Sequence, residues 1–172
     1  MPIFNFGIYQ KLAENAARKK KKYFALGNNS TTEAVSFLNR TKESIKIVTG
    51  ELNPAFFEAP EILLEINDVL SRKCKIDVVF NKRDTEDEAL KAIYEENPGL
   101  VELIKKYPDK INLIWVSLRP CQHYVISDNK HLYIEGKHEP YEDHESTFIY
   151  SSPQSAARWT NLFNALIDKK KH

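Results

Sequence analysis

The sequence has few of the residues and runs that mark several classes of protein. Its 172 residues include only 5 Gly and 2 Cys. Scarce glycine excludes a collagen-like or low-complexity chain, and two cysteines exclude a disulfide scaffold. No apolar run approaches the ~20 residues that cross a bilayer, and we find neither a transmembrane segment nor a signal peptide. With Cys74 and Cys121 as reduced thiols, we expect a cytoplasmic protein.

Motifs of several chemistries are also missing. Neither GxGxxG nor GxxxxGK[ST] occurs, so there is no glycine-rich phosphate loop, and the GxSxG turn of serine hydrolases is absent. No CxxC pair is available for zinc. We therefore expect no cofactor and no bound metal.

Apolar residues are plentiful enough for one core. They make up 42% of the chain and include 9 Phe and 8 Tyr. A chain of this length encloses one core and is too short for two ordinary domains. We expect a single domain over residues 23–172, preceded by a basic segment over residues 1–22 that carries a short amphipathic helix.

Charge is unevenly distributed, although the formal net charge is only +1. The runs at 18–22 and 169–171 hold eight of the 25 basic residues, whereas residues 23–168 contain 16 basic and 23 acidic ones. An acidic body argues against a broad nucleic-acid-binding face, because that affinity comes from clustered Lys and Arg. The run at 18–22 is either a solvated edge or a contact for nucleic acid or anionic lipid.

Hydrophobic periodicity predicts an α/β domain. Ser30 and Glu33 have capping-box spacing at the start of a helix, and further helices are predicted over 62–70, 84–96, 100–104 and 153–167. Strands are predicted over 44–50, 75–81, 111–117, 123–128, 131–135 and 146–152, with a tight turn at 128–130. This order predicts a mixed, mainly parallel central sheet with helices on both faces, in which the strands of Ile45 and Ile76 are parallel neighbours.

Residues 121–145 resemble the active motif of the phospholipase D superfamily. That motif is His-x-Lys, an Asp five residues after the Lys, then Gly-Ser-x-Asn and a later Glu. Anchored on Asp128, the alignment puts His123 in place of the Lys, Cys121 in place of the first His and His138 in place of the Asn. Glu145 follows before a strand. Anchored on His123 instead, it puts Val125 and Lys130 at the Lys and Asp positions; we favour the Asp128 register because it needs no insertion.

The resemblance implies a site of defined chemistry. The family uses one His as nucleophile on phosphorus, a second as general acid and two Lys to neutralise the phosphate, and a single motif completes such a site only in a homodimer. The implied catalytic residues are His123, Asp128, His138 and Glu145, with Glu145 holding the second nitrogen of His123. Candidates for binding the phosphodiester are Arg119, Lys130 and Lys137.

Two functions follow from this pattern. The lost Lys predicts a diverged domain that binds a phosphodiester ligand, such as nucleic acid, or a protein partner without the family's catalysis. The retained His, Asp and Glu allow the alternative of an active, homodimeric, metal-independent phosphodiesterase or nuclease that uses His123. Two further alternatives are a metal site of His123, His138, His144 and Asp128, and Cys121 as a nucleophile.

Overall fold

The computed structural model describes residues 22–26, 28–81, 84–118, 122–135 and 145–168, with the backbone alone for 22–26, 28–31 and 145. The predicted amphipathic helix before residue 22 lies outside these ranges. The described strands are β1 (Lys22–Leu26), β2 (Ser44–Thr49), β3 (Lys75–Phe80), β4 (Ile111–Trp115), β5 (Tyr124–Ser127), β6 (His131–Glu135) and β7 (Glu145–Ile149). The described helices are α1 (Asn28–Asn39), α2 (Pro54–Phe57), α3 (Pro60–Ser71), α4 (Glu86–Glu96), α5 (Pro98–Lys106) and α6 (Pro153–Asp168).

The described strands form one mixed sheet of seven, in the order β1-β7-β6-β5-β2-β3-β4. β2, β3 and β4 are parallel, and Ile45 pairs with Ile76 as predicted. The other four pairings are antiparallel. The prediction of a mainly parallel sheet is therefore wrong. The neighbouring strands β2, β3 and β4 are joined by helical crossovers, whereas β5 and β6 are joined by a tight turn, which gives antiparallel strands.

Helices cover both faces of the sheet, as predicted. On one face, Ile45, Ile47 and Val78 pack in a core with residues of α1, α3, α4 and α5. On the other face, Val48, Val79, Ile126 and Leu132 pack with Ala156 and Phe163 of α6. Along β2 and β3, successive buried residues alternate between these two cores, as the period of a strand requires.

At the start of the domain, one local prediction fails and one strand was not predicted. The structure begins α1 at Asn28, so Ser30 lies inside the helix, and Glu33 is fully buried with its carboxylate accepting a hydrogen bond from the Tyr150 hydroxyl. Glu33 therefore serves the core and not a capping box. The strand β1 was not predicted, because its partner β7 is more than a hundred residues away in the sequence.

Candidate functional site

His123, Gly50 and Glu135 meet at one end of the sheet, which we call the His123 end. His123 directly precedes β5, Gly50 directly follows β2, and Glu135 is the last residue of β6. β2 has β3 on one side and β5 on the other, so the chain changes direction across the sheet at this point. In open α/β sheets, ligands bind at such switch points beyond the carboxyl ends of the parallel strands.

Both ring nitrogens of His123 have hydrogen-bond partners. The backbone N–H of Gly50 donates to Nε2 over 3.0 Å, and Nδ1 lies 2.7 Å from Oε2 of Glu135. A backbone N–H can only donate, so Nε2 is the accepting nitrogen. In the neutral ring the proton is then on Nδ1, from which it is donated to the Glu135 carboxylate. The side chains of His123 and Glu135 are 35% and 20% exposed.

Glycine at position 50 allows this close approach. A Cβ atom at Gly50 would lie 3.1 Å from Nε2 of His123, which is tighter than ordinary van der Waals contact. The neighbouring ring, and not a left-handed backbone, favours glycine at this position.

Glu135 also accepts a hydrogen bond from Tyr133, which in turn contacts Ser146. The Tyr133 hydroxyl donates to Oε1 of Glu135 over 3.3 Å and lies 3.2 Å from the Ser146 hydroxyl. Tyr133 and Glu135 share a face of β6 because they are two residues apart, and Ser146 pairs with Glu135 in the neighbouring strand. Burial, together with the charge of Glu135, raises the pKa of Tyr133, so its hydroxyl stays protonated and donates.

Asp128 lies at the opposite end of β5 from His123. Five residues of extended chain separate them by about 16 Å. The Asp128 carboxylate accepts hydrogen bonds from the backbone N–H groups of Lys42, Glu43 and Ser44, at 2.9, 2.8 and 3.1 Å. The structure therefore does not bring Asp128 to His123, and its observed contacts tie the β5–β6 turn to the start of β2.

The remaining predicted residues are placed as follows. Lys130 is exposed in the β5–β6 turn, on the Asp128 side of the sheet. Glu145 starts β7 beside Ser146, so its backbone is at the His123 end, and its side chain is not described. Five predicted residues lie outside the described ranges: Arg119, Cys121, Lys137, His138 and His144.

Sequence reasoning missed Glu135 and Gly50. In a hairpin, residues at equal distances from the centre of the turn face each other. The turn at 128–130 is centred on Asn129, so Tyr124 pairs with Ile134, and His123 faces Glu135 one position further out. The predicted hairpin therefore contained the signal for the carboxylate. Gly50 gave none, because 73 residues separate it from His123.

A metal site of His123, His138, His144 and Asp128 does not fit this geometry, because His123 and Asp128 are at opposite ends of β5. Within the described ranges, no three His, Cys, Asp or Glu side chains form a group that could hold a metal ion.

None of the helices in the described ranges combines the length and the apolar character that crossing a membrane needs.

Comparisons with known proteins identify the fold. No protein-family model matches the chain, and no curated protein sequence matches it. The solved structure of TrmBL2, an archaeal chromatin protein with a novel mode of DNA binding, is similar with a TM-score of 0.63 and 14% identity over 95% of this chain. Nuc, a phospholipase D family member from Salmonella typhimurium, is similar with a TM-score of 0.57 and 15% identity, covering 85% of this chain and 94% of Nuc.

The chain has a phospholipase D-like fold. It spans 60% of the length of the TrmBL2 chain. At 14% and 15% identity, these likenesses establish the phospholipase D-like fold alone and leave activity to be argued from the site.

Proposed function

We propose that this chain is a noncatalytic phospholipase D-like domain that binds nucleic acid. The observation that carries the proposal is the hydrogen bond that occupies Nε2 of His123. A nucleophilic imidazole attacks phosphorus through the lone pair of its unprotonated nitrogen. In His123 that lone pair accepts the Gly50 N–H at 3.0 Å, and Gly50 is buried. Attack would leave a buried backbone N–H without a partner, at a cost of about 1–3 kcal/mol.

The position of the missing Lys supports the same proposal. In the register anchored on Asp128 the Lys position is occupied by His123 itself. In the register anchored on His123 it is occupied by Val125, a partly buried side chain that packs on the core. Described charged residues at the His123 end are acidic: Glu51, Glu58, Asp84, Glu86, Asp87, Glu88 and Glu135. A transition state at phosphorus gathers negative charge on its oxygens, and carboxylates do not stabilise it.

Nucleic acid is the proposed ligand class because of two observations. The domain shares its fold with a chromatin protein that binds DNA. In the sequence, a run of five basic residues at 18–22 ends at Lys22, the first residue of β1. Arg119, Lys130 and Lys137 remain the candidate phosphate contacts, and a protein partner is the other ligand that the sequence allows. The proposal keeps a cytoplasmic location, and Cys74 is a buried free thiol.

One observation favours the alternative of an active, homodimeric, metal-independent phosphodiesterase or nuclease. The Glu135 carboxylate lies 2.7 Å from Nδ1 of His123, which is the support that a nucleophilic His needs on its other nitrogen. Catalysis would then use His123 and His138 of each chain, together with Glu145, while Asp128 would fix the turn. This alternative requires a ligand to displace the Gly50 N–H from Nε2.

A cleavage assay distinguishes the two functions. Purified full-length protein is incubated with single- and double-stranded DNA and with bis-p-nitrophenyl phosphate, in the presence of chelator. His123→Ala is the test variant, and Ser117→Ala, at an exposed residue of the same sheet end, is the matched control. We expect no product above the protein-free background from any of the three proteins. Chelator-resistant cleavage that is lost only in His123→Ala would overturn the noncatalytic proposal.

A further inference from the structure

Four lysines are exposed at the end of the sheet opposite His123. They are Lys42 before β2, Lys73 and Lys75 at the start of β3, and Lys130 in the β5–β6 turn. We call this the lysine end. We propose that the lysine end is the surface on which nucleic acid docks, through its phosphate backbone. This inference rests on the proposed function and places the contact away from the cleft where the family motif predicts it.

Backbone pairing brings these lysines onto adjacent strands. Lys75 pairs with Ser44, and its N–H donates to the carbonyl of Glu43 over 3.2 Å. The Asp128 carboxylate holds the N–H of Lys42, and Lys130 follows in the same turn. Neighbouring strands are about 5 Å apart, so the set spans about 10–15 Å. Duplex DNA carries about one charge per 1.7 Å of axis, so several phosphates fit within that span.

The ammonium groups of these lysines are available to a ligand. No ion pair or hydrogen bond of the described residues occupies Nζ of Lys42, Lys73, Lys75 or Lys130. Nearby acids are partly engaged: Asp68 pairs with Arg72 at 3.0 Å, and Asp128 accepts three backbone N–H groups. Glu43 and Asp109 are exposed and reduce the positive potential without pairing with these lysines.

Turn geometry fixes the backbone beneath the lysines. Asp128 and Asn129 have φ values of 52° and 53°, and the Lys130 N–H donates to the Ser127 carbonyl over 3.1 Å. Lys73 has a φ of 72° in the tight connection between α3 and β3. A fixed backbone reduces the ordering cost of binding, which leaves only the flexible side chains to be ordered.

Among the described residues, the two ends of the sheet differ in charge, which favours the lysine end for a polyanion. Described charged residues at the His123 end are acidic, as given above. β1 begins with Lys22, which pairs with Ile149, and Ile149 pairs with Leu132 near the start of β6. The backbone of Lys22, the last residue of the basic run, therefore lies at the lysine end.

Charge reversal tests the location. Binding of a fluorescent 20-base-pair duplex and of the matching single strand is measured by anisotropy at several salt concentrations. The test variant carries Lys42→Glu, Lys75→Glu and Lys130→Glu. The matched control carries Lys91→Glu, Lys105→Glu and Arg158→Glu, exposed residues of α4, α5 and α6, with the same change in net charge. We expect duplex affinity to fall at least tenfold in the test variant and less than twofold in the control, with the salt slope reduced by about 2–3.

The outcomes distinguish the location of the docking surface from the nucleic-acid-binding function itself. Equal loss in both variants, or greater loss in the control, would overturn the lysine end as the docking surface while the nucleic-acid function stands. Failure of the wild-type protein to bind either nucleic acid would overturn the proposed function itself, as would binding only to vesicles containing phosphatidylserine. Circular dichroism checks folding, and if the Glu variant unfolds, the Lys→Gln triple variant must still reduce the salt slope.

Discussion

At the scale of single residues, the contact between Gly50 and His123 fixes which ring nitrogen of His123 accepts a hydrogen bond. Gly50→Ala places a Cβ 3.1 Å from Nε2, so the ring must shift by a few tenths of an ångström to make room. We expect the free energy of unfolding to fall by about 1 kcal/mol, because the shift weakens the hydrogen bond that the buried Gly50 N–H donates. Urea unfolding measures the change. Ser117→Ala should change it by less than about 0.5 kcal/mol, and equal values for the two variants would contradict the contact.

A second prediction at the scale of residues concerns His131, which makes the stability of the protein depend on pH. It is buried, and its Nδ1 accepts the Ser151 N–H at 3.0 Å. Burial, assisted by the charge of Lys130, lowers the pKa of His131 to about 4. In the unfolded chain the pKa is about 6.5, so between pH 6.5 and 4 the unfolded state binds more protons. Stability therefore falls as the pH drops through this window, by up to about 3 kcal/mol.

His131→Asn, which keeps a polar acceptor, should flatten that dependence. Burial raises the pKa of Glu33, which acts in the opposite direction, so the wild-type protein is compared with the variant at each pH. The difference in unfolding free energy between the two proteins is expected to change between pH 6.5 and 4 and to stay constant above pH 7. A difference that is independent of pH throughout would show that His131 is not held neutral by burial.

At the scale of elements, Asp128 joins the β5–β6 turn to the start of β2. Asp128→Ala removes the acceptor of three backbone N–H groups, so we expect a loss of about 2–4 kcal/mol in unfolding free energy. Asp128→Asn keeps an amide oxygen and the left-handed backbone, and it should cost less. Because His123 is about 16 Å away, its ring resonances should stay unchanged in Asp128→Asn. A shift in those resonances would argue for a direct catalytic link between the two residues.

At the scale of the whole molecule, sequence reasoning predicted what depends on local pattern. Apolar alternation located β2 and β3, and helical spacing located the faces of α3 and α6, because each pattern reflects burial by neighbours in the fold. Sequence reasoning did not predict β1, and it predicted the wrong balance of parallel and antiparallel strands. Those properties depend on pairings between distant segments, which no local pattern encodes.

The same division holds for the candidate site. The hairpin around residues 128–130 fixes the pairing of His123 with Glu135, so that contact was accessible to sequence reasoning. The Gly50 contact requires β2 to lie beside β5, which follows from the sheet order alone. The hydrogen bond from Gly50 to Nε2 of His123 was therefore visible only in the fold.

The protonation of the His123 ring tests the central claim most directly. In a long-range ¹H–¹⁵N spectrum of the labelled protein at pH 7.5, we expect a protonated Nδ1 and an unprotonated Nε2 that accepts a hydrogen bond. Addition of orthovanadate, a phosphate mimic, should leave both nitrogen shifts unchanged. A proton on Nε2, or an Nε2 signal that shifts with orthovanadate, would contradict a His123 held away from phosphorus chemistry.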